Sequence, residues 1–434
     1  MVLKDTQKNV ILKVVMTLSL ILLNILRKPQ LFYHPRFYAE EGQSFFAAAY
    51  NDSFLHYLLS PMYGYYALYN VIATSLATFV PLEIAPLITT YQALIIQVAT
   101  SVFVIWCNIP ILDSNSKRFI TAISFPLLCP CQIWLTTIGV QYWLCIITVL
   151  IFLENTTSDN MSAHVAKLLA LIFTGLTGVL SCILTPIFML KWIFTRSRRF
   201  LHYTFILGAC SIIQIFIFTH AWLKHDSGII NRFVAHSDSA DIMYTNILYF
   251  FAGFIYSNHI HQIPIINKIE KVISKCVEIT LIKRAVTEIE AVMILGTIVI
   301  IFTIVSLVVE YFRSIDRMCI LLSSAIIFMS SIILSVDSSG GPRYLFAPSA
   351  MLIIFLIASY DKYILTPSHR LLLISVITFF IFIHIYDYVP SMDRTYNEKW
   401  PKWEEEVHLW QINSSHPLKI WPPPWEIVLR KPII

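Results

Sequence analysis

Apolar runs close to the length of a membrane-spanning helix recur along this chain from residue 9 to residue 388. A helix needs about 20 apolar residues to cross the hydrocarbon core of a bilayer. The chain is 57% hydrophobic and only 13% charged, which fits such a protein. The pattern predicts an all-α polytopic membrane protein with about eleven transmembrane helices. The predicted spans are 9–26, 85–107, 119–135, 137–153, 165–177, 179–195, 201–223, 291–312, 318–336, 344–360 and 370–388.

The distribution of positive charge predicts how these spans are oriented. Lys4, Lys8 and Lys13 flank the first run, which is too long for a removed signal peptide. We interpret it as a retained anchor with a cytoplasmic N-terminus. Eleven crossings then place the short basic loops inside, at 117–118, 196–199, 313–317 and 362–370. The same count places three longer segments outside, at 27–84, 224–290 and 389–434.

Three stretches leave this topology open. The run 165–195 is too long for one helix, and Gly175, Gly178 and Pro186 predict a break that turns it into a hairpin. The short runs 67–81 and 243–257 are not counted as crossings. The count places the basic segment 258–290 outside, against the usual charge bias. A crossing at 243–257 would invert every later loop.

The composition also excludes several kinds of site. The eight cysteines lie mostly in or beside apolar runs, and 129–131 is too tightly spaced for a zinc site, so no disulfide framework, metal centre or other cofactor is predicted. A net charge of +5 is typical of a positive-inside bias rather than of nucleic-acid binding. No Walker loop or dinucleotide fingerprint is present in the sequence. If the chain catalyses a transfer, a lipid-linked donor that is reached from within the membrane is expected.

Two adjacent carboxylates, Glu40 and Glu41, follow the first apolar run. Charge is placed sparingly in so apolar a chain, so paired acids beside a membrane helix are expected to be functional. A carboxylate here could take a proton from a hydroxyl group at the membrane surface. The alternative is a charge pair that faces water at the start of a short amphipathic helix, which the spacing predicts from about residue 43.

Polar and aromatic residues cluster at two further places in the first third of the chain. Tyr63 and Tyr65 fall in a predicted turn, where they either stack on a sugar or a polyprenyl chain or belong to an interfacial aromatic belt. Gln141 and Trp143 fall in a predicted external turn at 136–143, where they either line a sugar pocket or pack at the interface. Both clusters are therefore candidates for contact with a sugar or a lipid.

A Ser- and Gly-rich turn is predicted at 337–344, just before a late span. Such a turn lets backbone amides approach a ligand closely. Arg343 is the candidate phosphate ligand, because its planar fork matches phosphate oxygens. Tyr344 is the adjacent candidate for contact with the sugar or the lipid. The alternative is a simple tight turn from which Arg343 extends to the membrane interface.

The tail 389–434 differs in composition from the rest of the chain, because it is polar and rich in Trp and Pro. We predict a transmembrane domain at 1–388, with the first external loop at 27–84, followed by this external tail. The tail is expected to form a small cap of irregular and extended pieces with a short helix near 400–410.

Four of these features together resemble the GT-C superfamily of membrane glycosyltransferases, in particular the bacterial O-antigen glucosyltransferases of serotype conversion. The features are the acidic pair, the aromatic turn at 63–66, the Gly-Pro-Arg-Tyr sequence at 341–344 and the Trp- and Pro-rich stretch 421–425. The acidic pair here is Glu-Glu, whereas many relatives have at least one Asp. That difference leaves open which of the two residues acts.

The resemblance implies an inverting transfer of a sugar, with glucose as the candidate, from a polyprenyl-phosphate donor to a surface polysaccharide such as O-antigen. It places the reaction at the external face of the bacterial cytoplasmic membrane, in contact with membrane lipid. Glu40 is the implied base, Glu41 the second choice or an orienting partner, and Arg343 with Arg36 the implied ligands of the donor phosphate. A flippase and a donor synthase are implied as further partners.

Two other functions stay open. A transporter or flippase of lipid-linked saccharide would recognise a similar ligand, but such proteins tend to carry internal repeats and ionisable residues inside their spans. The predicted spans here are nearly free of charge. A non-catalytic scaffold or a polysaccharide polymerase subunit is the third possibility, and the chemistry of its donor would distinguish it.

Overall fold

The structure, a computed structural model, describes residues 2–155, 160–224, 288–311, 314–333, 341–361, 364–388 and 401–430. Its α-helices are α1 (Val2–Leu26), α2 (Gln30–Tyr33), α3 (Ala47–Asn51), α4 (Phe54–Leu59), α5 (Leu68–Ala77), α6 (Ala85–Trp106), α7 (Asn115–Leu128), α8 (Val140–Leu153), α9 (Met161–Gly175), α10 (Leu180–Ile183), α11 (Thr185–Thr195), α12 (Arg198–Leu223), α13 (Glu288–Tyr311), α14 (Ile315–Ile333), α15 (Gly341–Ala358), α16 (Pro367–Tyr388) and α17 (Trp403–Ile412). A π-helical turn covers Glu41–Phe46, and 3-10 turns cover Leu82–Ile84, Cys131–Ile133 and Thr137–Gly139. Strand β1 (Leu418–Lys419) pairs antiparallel with β2 (Glu426–Ile427).

Four of the described helical segments are long and apolar enough to cross a membrane, namely Gln7–Leu26, Leu82–Trp106, Arg198–Leu223 and Pro367–Ile385. They match four of the predicted spans. The shorter apolar stretches are 10–17 residues long, namely Leu68–Ala77, Thr137–Leu153, Met161–Gly175, Leu180–Thr195, Thr297–Tyr311 and Arg343–Ala358, so the count of about eleven crossings is not confirmed. A mostly helical protein with several candidate membrane spans is confirmed, while its orientation and compartment stay predictions.

One predicted span is helical over only part of its apolar run. The span predicted at 119–135 is helical only to Leu128, the last residue of α7. Pro130 lacks a backbone N–H and restricts the residue before it, so the helix cannot continue through the run. The short run 67–81 contains α5, whose 10 residues are too few for a crossing. The run 243–257 lies outside the described residues, as does most of 258–290.

The break predicted within 165–195 is confirmed, but only two of the three residues form it. Helix α9 ends at Gly175. Gly178 then adopts a φ of 97°, a conformation that favours glycine. Pro186 lies instead in the first turn of α11, where its missing N–H leaves no helical hydrogen bond unmade.

The chain divides into two compact units. The first contains the described residues 2–109, 129–155, 160–224 and 401–430, and in it α6 packs against α1, α5 and α8 while α12 packs against α9 and α11. The second contains the described residues 110–128, 288–311, 314–333, 341–361 and 364–388. In it α15 packs against α7 and α14, and the Tyr311 hydroxyl donates to the Ser359 carbonyl oxygen at 2.8 Å.

The first loop and the tail pack together within the first unit. We define the loop–tail lobe as residues 27–85 and 401–430. Phe37 stacks on Phe46 with ring centroids 4.3 Å apart and meets Trp403 edge-on at 5.3 Å. The tail helix predicted near 400–410 is confirmed as α17, and the β1–β2 hairpin follows it. The core of the lobe is a buried cluster to which both segments contribute, made of Phe37, Phe46, Ala77, Ala85, Trp403, Val407, Trp410, Leu418, Ile420, Ile427 and Leu429.

Candidate active site

The acidic pair is placed by a sharp bend of the backbone at Ala39. Ala39 has a φ of 45°, in the left-handed region that costs a residue with a Cβ about 1 kcal/mol. Its N–H donates to the Trp421 carbonyl oxygen at 2.6 Å, and the Trp421 N–H donates to the Phe37 carbonyl oxygen at 3.2 Å. The tail therefore holds the bend from both sides. The π-helical turn Glu41–Phe46 begins immediately after it.

Gly42 lets the tail approach the acidic pair closely. A methyl group at this position would lie 2.7 Å from Ile420 Cδ1, 2.7 Å from Phe37 Cβ and 2.9 Å from Ile427 Cδ1. These distances are well below an ordinary contact of about 3.5–4.0 Å between carbon atoms. Any larger residue at this position would push the tail away from the turn that carries the acids.

Glu41 is buried, with 2% of its surface exposed. Its Oε1 accepts hydrogen bonds from the Thr137 backbone N–H and the Thr137 hydroxyl, both at 2.7 Å. Its Oε2 accepts one from the Tyr38 N–H at 3.2 Å. Burial raises the pKa of Glu41 above its usual value, although these hydrogen bonds and one from Thr89 oppose the rise. Both carboxylate oxygens are thus occupied by donors that join distant parts of the chain.

Glu40 has a different environment from its neighbour. It is half-buried, and its Oε2 is shielded from solvent without a hydrogen-bond partner among the described residues. A shielded carboxylate oxygen without a donor is costly to the fold and keeps its capacity to accept a proton. The geometry therefore engages Glu41 in holding the turn and leaves Glu40 available for chemistry.

A cavity opens beside the segment that leads into the acidic pair. It encloses about 620 Å³, including the solvent at its mouth. Phe37 contributes to its wall, immediately before the bend at Ala39. Its lining combines basic and aromatic side chains, among them Lys28, His34, Arg36, Tyr38, Trp134 and Trp421.

Two of the basic side chains are largely buried, with Lys28 4% and Arg36 8% exposed. Burial lowers the pKa of Lys28 from its usual 10.5 to about 8, and Arg27 adds to this effect whereas Cys131 opposes it. The Arg27 guanidinium lies over the Trp134 ring, 4.3 Å from its centroid. Cations in a wall of low polarity attract an anion strongly, and both Lys and Arg are suited to phosphate.

The predicted aromatic turn at 63–66 is confirmed as a turn. Tyr63 and Gly64 have φ angles of 56° and 78°. Met62 and Tyr65 exchange backbone hydrogen bonds of 3.1 and 3.2 Å, as in a two-residue hairpin. The Tyr63 hydroxyl forms a hydrogen bond with the Ser44 hydroxyl, so the turn packs on the helical segment after the acids. Contact of Tyr63 and Tyr65 with a sugar or a lipid stays a prediction.

Gln141 and Trp143 do not lie in an open turn, which corrects the expectation for 136–143. Both belong to the first turn of α8, because the apolar run continues the helix through them. Trp143 is 0% exposed and sits in the packed interior. The Gln141 Oε1 lies 2.6 Å from the position of a Cβ at Gly178, in close contact with that turn. We therefore leave both residues out of the site proposed below.

Arg343 and Tyr344 belong to the second unit and lie in the first turn of α15, not in a turn before it. Pro342 is the second residue of this helix, a position that tolerates a missing N–H. The Arg343 Nη2 donates to the Tyr344 hydroxyl at 3.1 Å, and its guanidinium lies 4.9 Å from the centroid of that ring. The segment 337–340 lies outside the described residues. The phosphate-binding role of Arg343 stays a prediction, as does that of Arg36, which lines the cavity.

Lys28, His34, Trp134 and Thr137 are the residues of this region that sequence reasoning missed. A signal was available for Lys28, because a basic residue directly after an apolar run and before a polar loop is a candidate ligand. Trp134 was hidden inside the span predicted at 119–135. Nothing in the spacing indicated that Thr137 would hold a carboxylate 96 positions earlier in the chain.

Comparisons with known protein families, with characterised proteins and with solved structures find no match for this chain. Across the described ranges, no three His, Cys, Asp or Glu side chains are grouped so that they could hold a metal ion. What the fold and the site define is a helical protein with candidate membrane spans and a cationic cavity beside a pair of carboxylates.

Proposed function

We propose that this protein is a membrane glycosyltransferase that moves a sugar from a polyprenyl-phosphate donor to a surface polysaccharide. One observation carries the proposal. The cavity lining includes Lys28, two residues after the candidate membrane span Gln7–Leu26, and Tyr38, two residues before Glu40. The polyprenyl chain of a lipid-linked donor suits an apolar environment and its phosphate suits a cationic one. The sugar must lie where a base can take the proton of the attacking hydroxyl group.

Binding of the donor phosphate is assigned to Arg36 and Lys28. Arg36 offers a planar fork for two phosphate oxygens, and Lys28 offers a compact charge. Both are largely buried, so their attraction for a phosphate is screened less than that of exposed side chains. They would also stabilise the negative charge that grows on the phosphate as it leaves. Arg343 stays a predicted phosphate ligand, and Tyr344 stays a predicted contact of the sugar or the lipid.

Glu40 is assigned as the general base. The oxygen of the acceptor hydroxyl attacks the anomeric carbon while its proton passes to Glu40. The bond from the anomeric carbon to the phosphate oxygen breaks, and its electron pair leaves with the polyprenyl phosphate. Attack opposite the leaving group inverts the configuration. Glu41 is a positioning residue, because it fixes Tyr38 and Thr137 around the turn that presents Glu40.

The reaction is proposed for the external face of the bacterial cytoplasmic membrane, with O-antigen as the acceptor class and glucose as the first sugar to test. A flippase and a donor synthase would supply the lipid-linked donor at that face. This assignment rests on the resemblance described above, together with the cavity at the end of a candidate span.

A transfer assay tests the proposal. The unaltered protein and Glu40→Gln, both reconstituted in lipid, are mixed with polyprenyl-phosphate-glucose and a polysaccharide acceptor. We expect the variant to lose about 10²–10⁴-fold in rate, the usual contribution of a general base. Glu83→Gln is the matched control, because Glu83 lies in the same lobe and only accepts a hydrogen bond from Gln411 at 2.8 Å.

The outcomes separate the two parts of the proposal. Transfer that persists at the full rate in Glu40→Gln would remove Glu40 as the base while leaving the glycosyltransferase in place. Transfer that is absent from the unaltered protein with glucose and every other polyprenyl-phosphate sugar tried would overturn the enzyme itself.

A transporter or flippase of lipid-linked saccharide is the second candidate, and one observation favours it. Lys167 and Glu154 form a largely buried ion pair of 2.9 Å among the helices of the first unit. Lys191 is also buried, and its Nζ donates to the Phe152 carbonyl oxygen at 2.5 Å. Ionisable groups between helices are common in transporters. Movement of a fluorescent lipid-linked saccharide across vesicles, without any transfer, would support this candidate.

A further inference from the structure

Trp421 faces away from the core of the loop–tail lobe. Leu418 and Ile420 belong to the buried core cluster, whereas Trp421 does not. Side chains alternate along an extended segment, so Trp421 points to the opposite side from Ile420. Trp421 also lines the cavity and is only 7% exposed. Its indole is therefore part of the cavity wall.

The backbone of Trp421 is held firmly in this position. It pairs in parallel with Tyr38, which also lines the cavity, through the two hydrogen bonds on either side of the bend at Ala39. More distant contacts fix the rest of the tail. The Asn51 Oδ1 accepts from the Arg430 N–H at 2.8 Å, and the Asn51 amide donates to the Val428 carbonyl oxygen at 3.1 Å.

The two indoles in the cavity wall are not equivalent. One face of Trp134 is covered by the Arg27 guanidinium. No aromatic ring or cation from the described part of the chain stacks on Trp421. An indole combines a large apolar face with a polar edge, which suits the apolar C–H face of a pyranose ring and its hydroxyl groups. Of the two, Trp134 is the one whose ring carries a cation in the described part of the chain.

We propose that Trp421, supplied by the C-terminal tail, contacts the sugar of the lipid-linked donor and distinguishes the glycosylated lipid from the bare polyprenyl phosphate. This inference rests on the proposed function. The basic residues of the cavity would hold the phosphate, which both lipids share, so they cannot make this distinction. A group other than the phosphate ligands must read the sugar, and Trp421 lines the same cavity while its backbone is bonded to Ala39, directly before Glu40.

The test compares the affinity of the full chain in lipid nanodiscs for three radiolabelled probes. These are polyprenyl phosphate, polyprenyl-phosphate-glucose and polyprenyl-phosphate-mannose. In Trp421→Ala we expect affinity for at least one glycosylated probe to fall about tenfold, as for a central aromatic contact, and affinity for polyprenyl phosphate to stay within about twofold. Trp421→Phe should restore most of the loss, because a ring face is retained.

Trp425→Ala is the matched control. Trp425 lies in the same tail but packs against the core of the lobe instead of lining the cavity. A general loosening of the lobe would weaken all three probes together, so an equal loss for all of them in Trp421→Ala overturns the inference and assigns Trp421 a structural role. An unchanged affinity for both glycosylated probes also overturns it. Failure of the unaltered protein to bind any of the three probes overturns the proposed function as well. Failure of the inference about Trp421 and failure of the proposed function therefore give different results.

Discussion

The loop–tail lobe and the helices α8 to α12 belong to one compact unit, but they use their polar groups in opposite ways. In the lobe, polar groups bond across very large separations in sequence. The Trp403 indole donates to the Leu82 carbonyl oxygen at 2.8 Å, and the Glu41 carboxylate joins Tyr38 to Thr137. Each of these bonds fixes two segments that nothing else in the local sequence would bring together.

In the helices, most hydroxyl groups return to a carbonyl oxygen of their own helix. Thr204 donates to Phe200 at 2.8 Å and Thr219 to Ile215 at 2.8 Å, each one turn back. Such bonds satisfy the hydroxyl without specifying a neighbouring helix. The helical part is therefore specified mainly by its apolar surface, whereas the lobe depends on a small number of individual contacts. Single substitutions should be far more damaging in the lobe.

The largest effect is expected from Glu41→Ala. The substitution leaves the buried N–H groups of Thr137 and Tyr38 without an acceptor, and each unsatisfied buried donor costs about 1–3 kcal/mol. We expect a loss of about 3 kcal/mol in the free energy of unfolding, measured by denaturant titration with tryptophan fluorescence. Thr204→Val, which removes only a local bond in α12, should stay within about 0.5 kcal/mol. Similar losses in the two variants would remove the contrast between lobe and helices.

The same contrast explains how much of the molecule could be predicted from its sequence. Hydropathy located the four candidate spans, and the Gly-containing turn at Tyr63 and Gly64 was readable from local residues. Long-range contacts were not readable. Trp421 was noticed only as part of a Trp-rich tail, and the bonds that bring it to Phe37 and Ala39 link positions that are hundreds of residues apart in sequence.

The wrong predictions of where helices begin and end have a local cause. Hydropathy measures how apolar a run is and does not record where a helix ends. The run 119–135 is mostly apolar, but Pro130 ends α7 early and the chain then enters a 3-10 turn. A turn was also predicted over the whole of 136–143, but the 3-10 turn ends at Gly139 and α8 begins at Val140. Trp143 was therefore placed at a surface when it belongs to the interior.

A smaller effect, of about 2 kcal/mol, is expected from Gly42→Ala, since overpacking of a filled site typically costs about 1–3 kcal/mol. The added methyl group would lie 2.7 Å from both Ile420 and Phe37. Gly208→Ala in α12 is the matched control, because its methyl group would meet only Thr185, at 3.9 Å. Alanine also favours a helix by about 1 kcal/mol over glycine, so this control should be neutral or stabilising. Thermal unfolding of both variants measures the difference, and a stable Gly42→Ala would show that the tail can shift without cost.

The smallest effect concerns pH and sharpens the comparison between two buried lysines, Lys28 in the lobe and Lys191 among the helices. Burial lowers the pKa of Lys28 to about 8, so its charge is lost as the pH rises through that value. A phosphodiester probe keeps one negative charge over this range. Affinity for polyprenyl-phosphate-glucose should therefore fall about tenfold between pH 7 and pH 9, in line with one pKa unit per factor of ten.

Two variants, and the direction in which stability changes with pH, decide whether Lys28 causes the fall in affinity. Lys28→Arg keeps its charge at pH 9 and should abolish the fall, whereas Lys191→Met should leave it unchanged, because Lys191 is not among the residues that line the cavity.

Between about pH 8 and 10.5 the folded protein binds fewer protons at Lys28 than the unfolded chain does, so this group makes the fold more stable as the pH rises. Affinity and stability should thus move in opposite directions, which unfolding of the lobe cannot produce. A fall in affinity that persists in Lys28→Arg would show that Lys28 is not its cause.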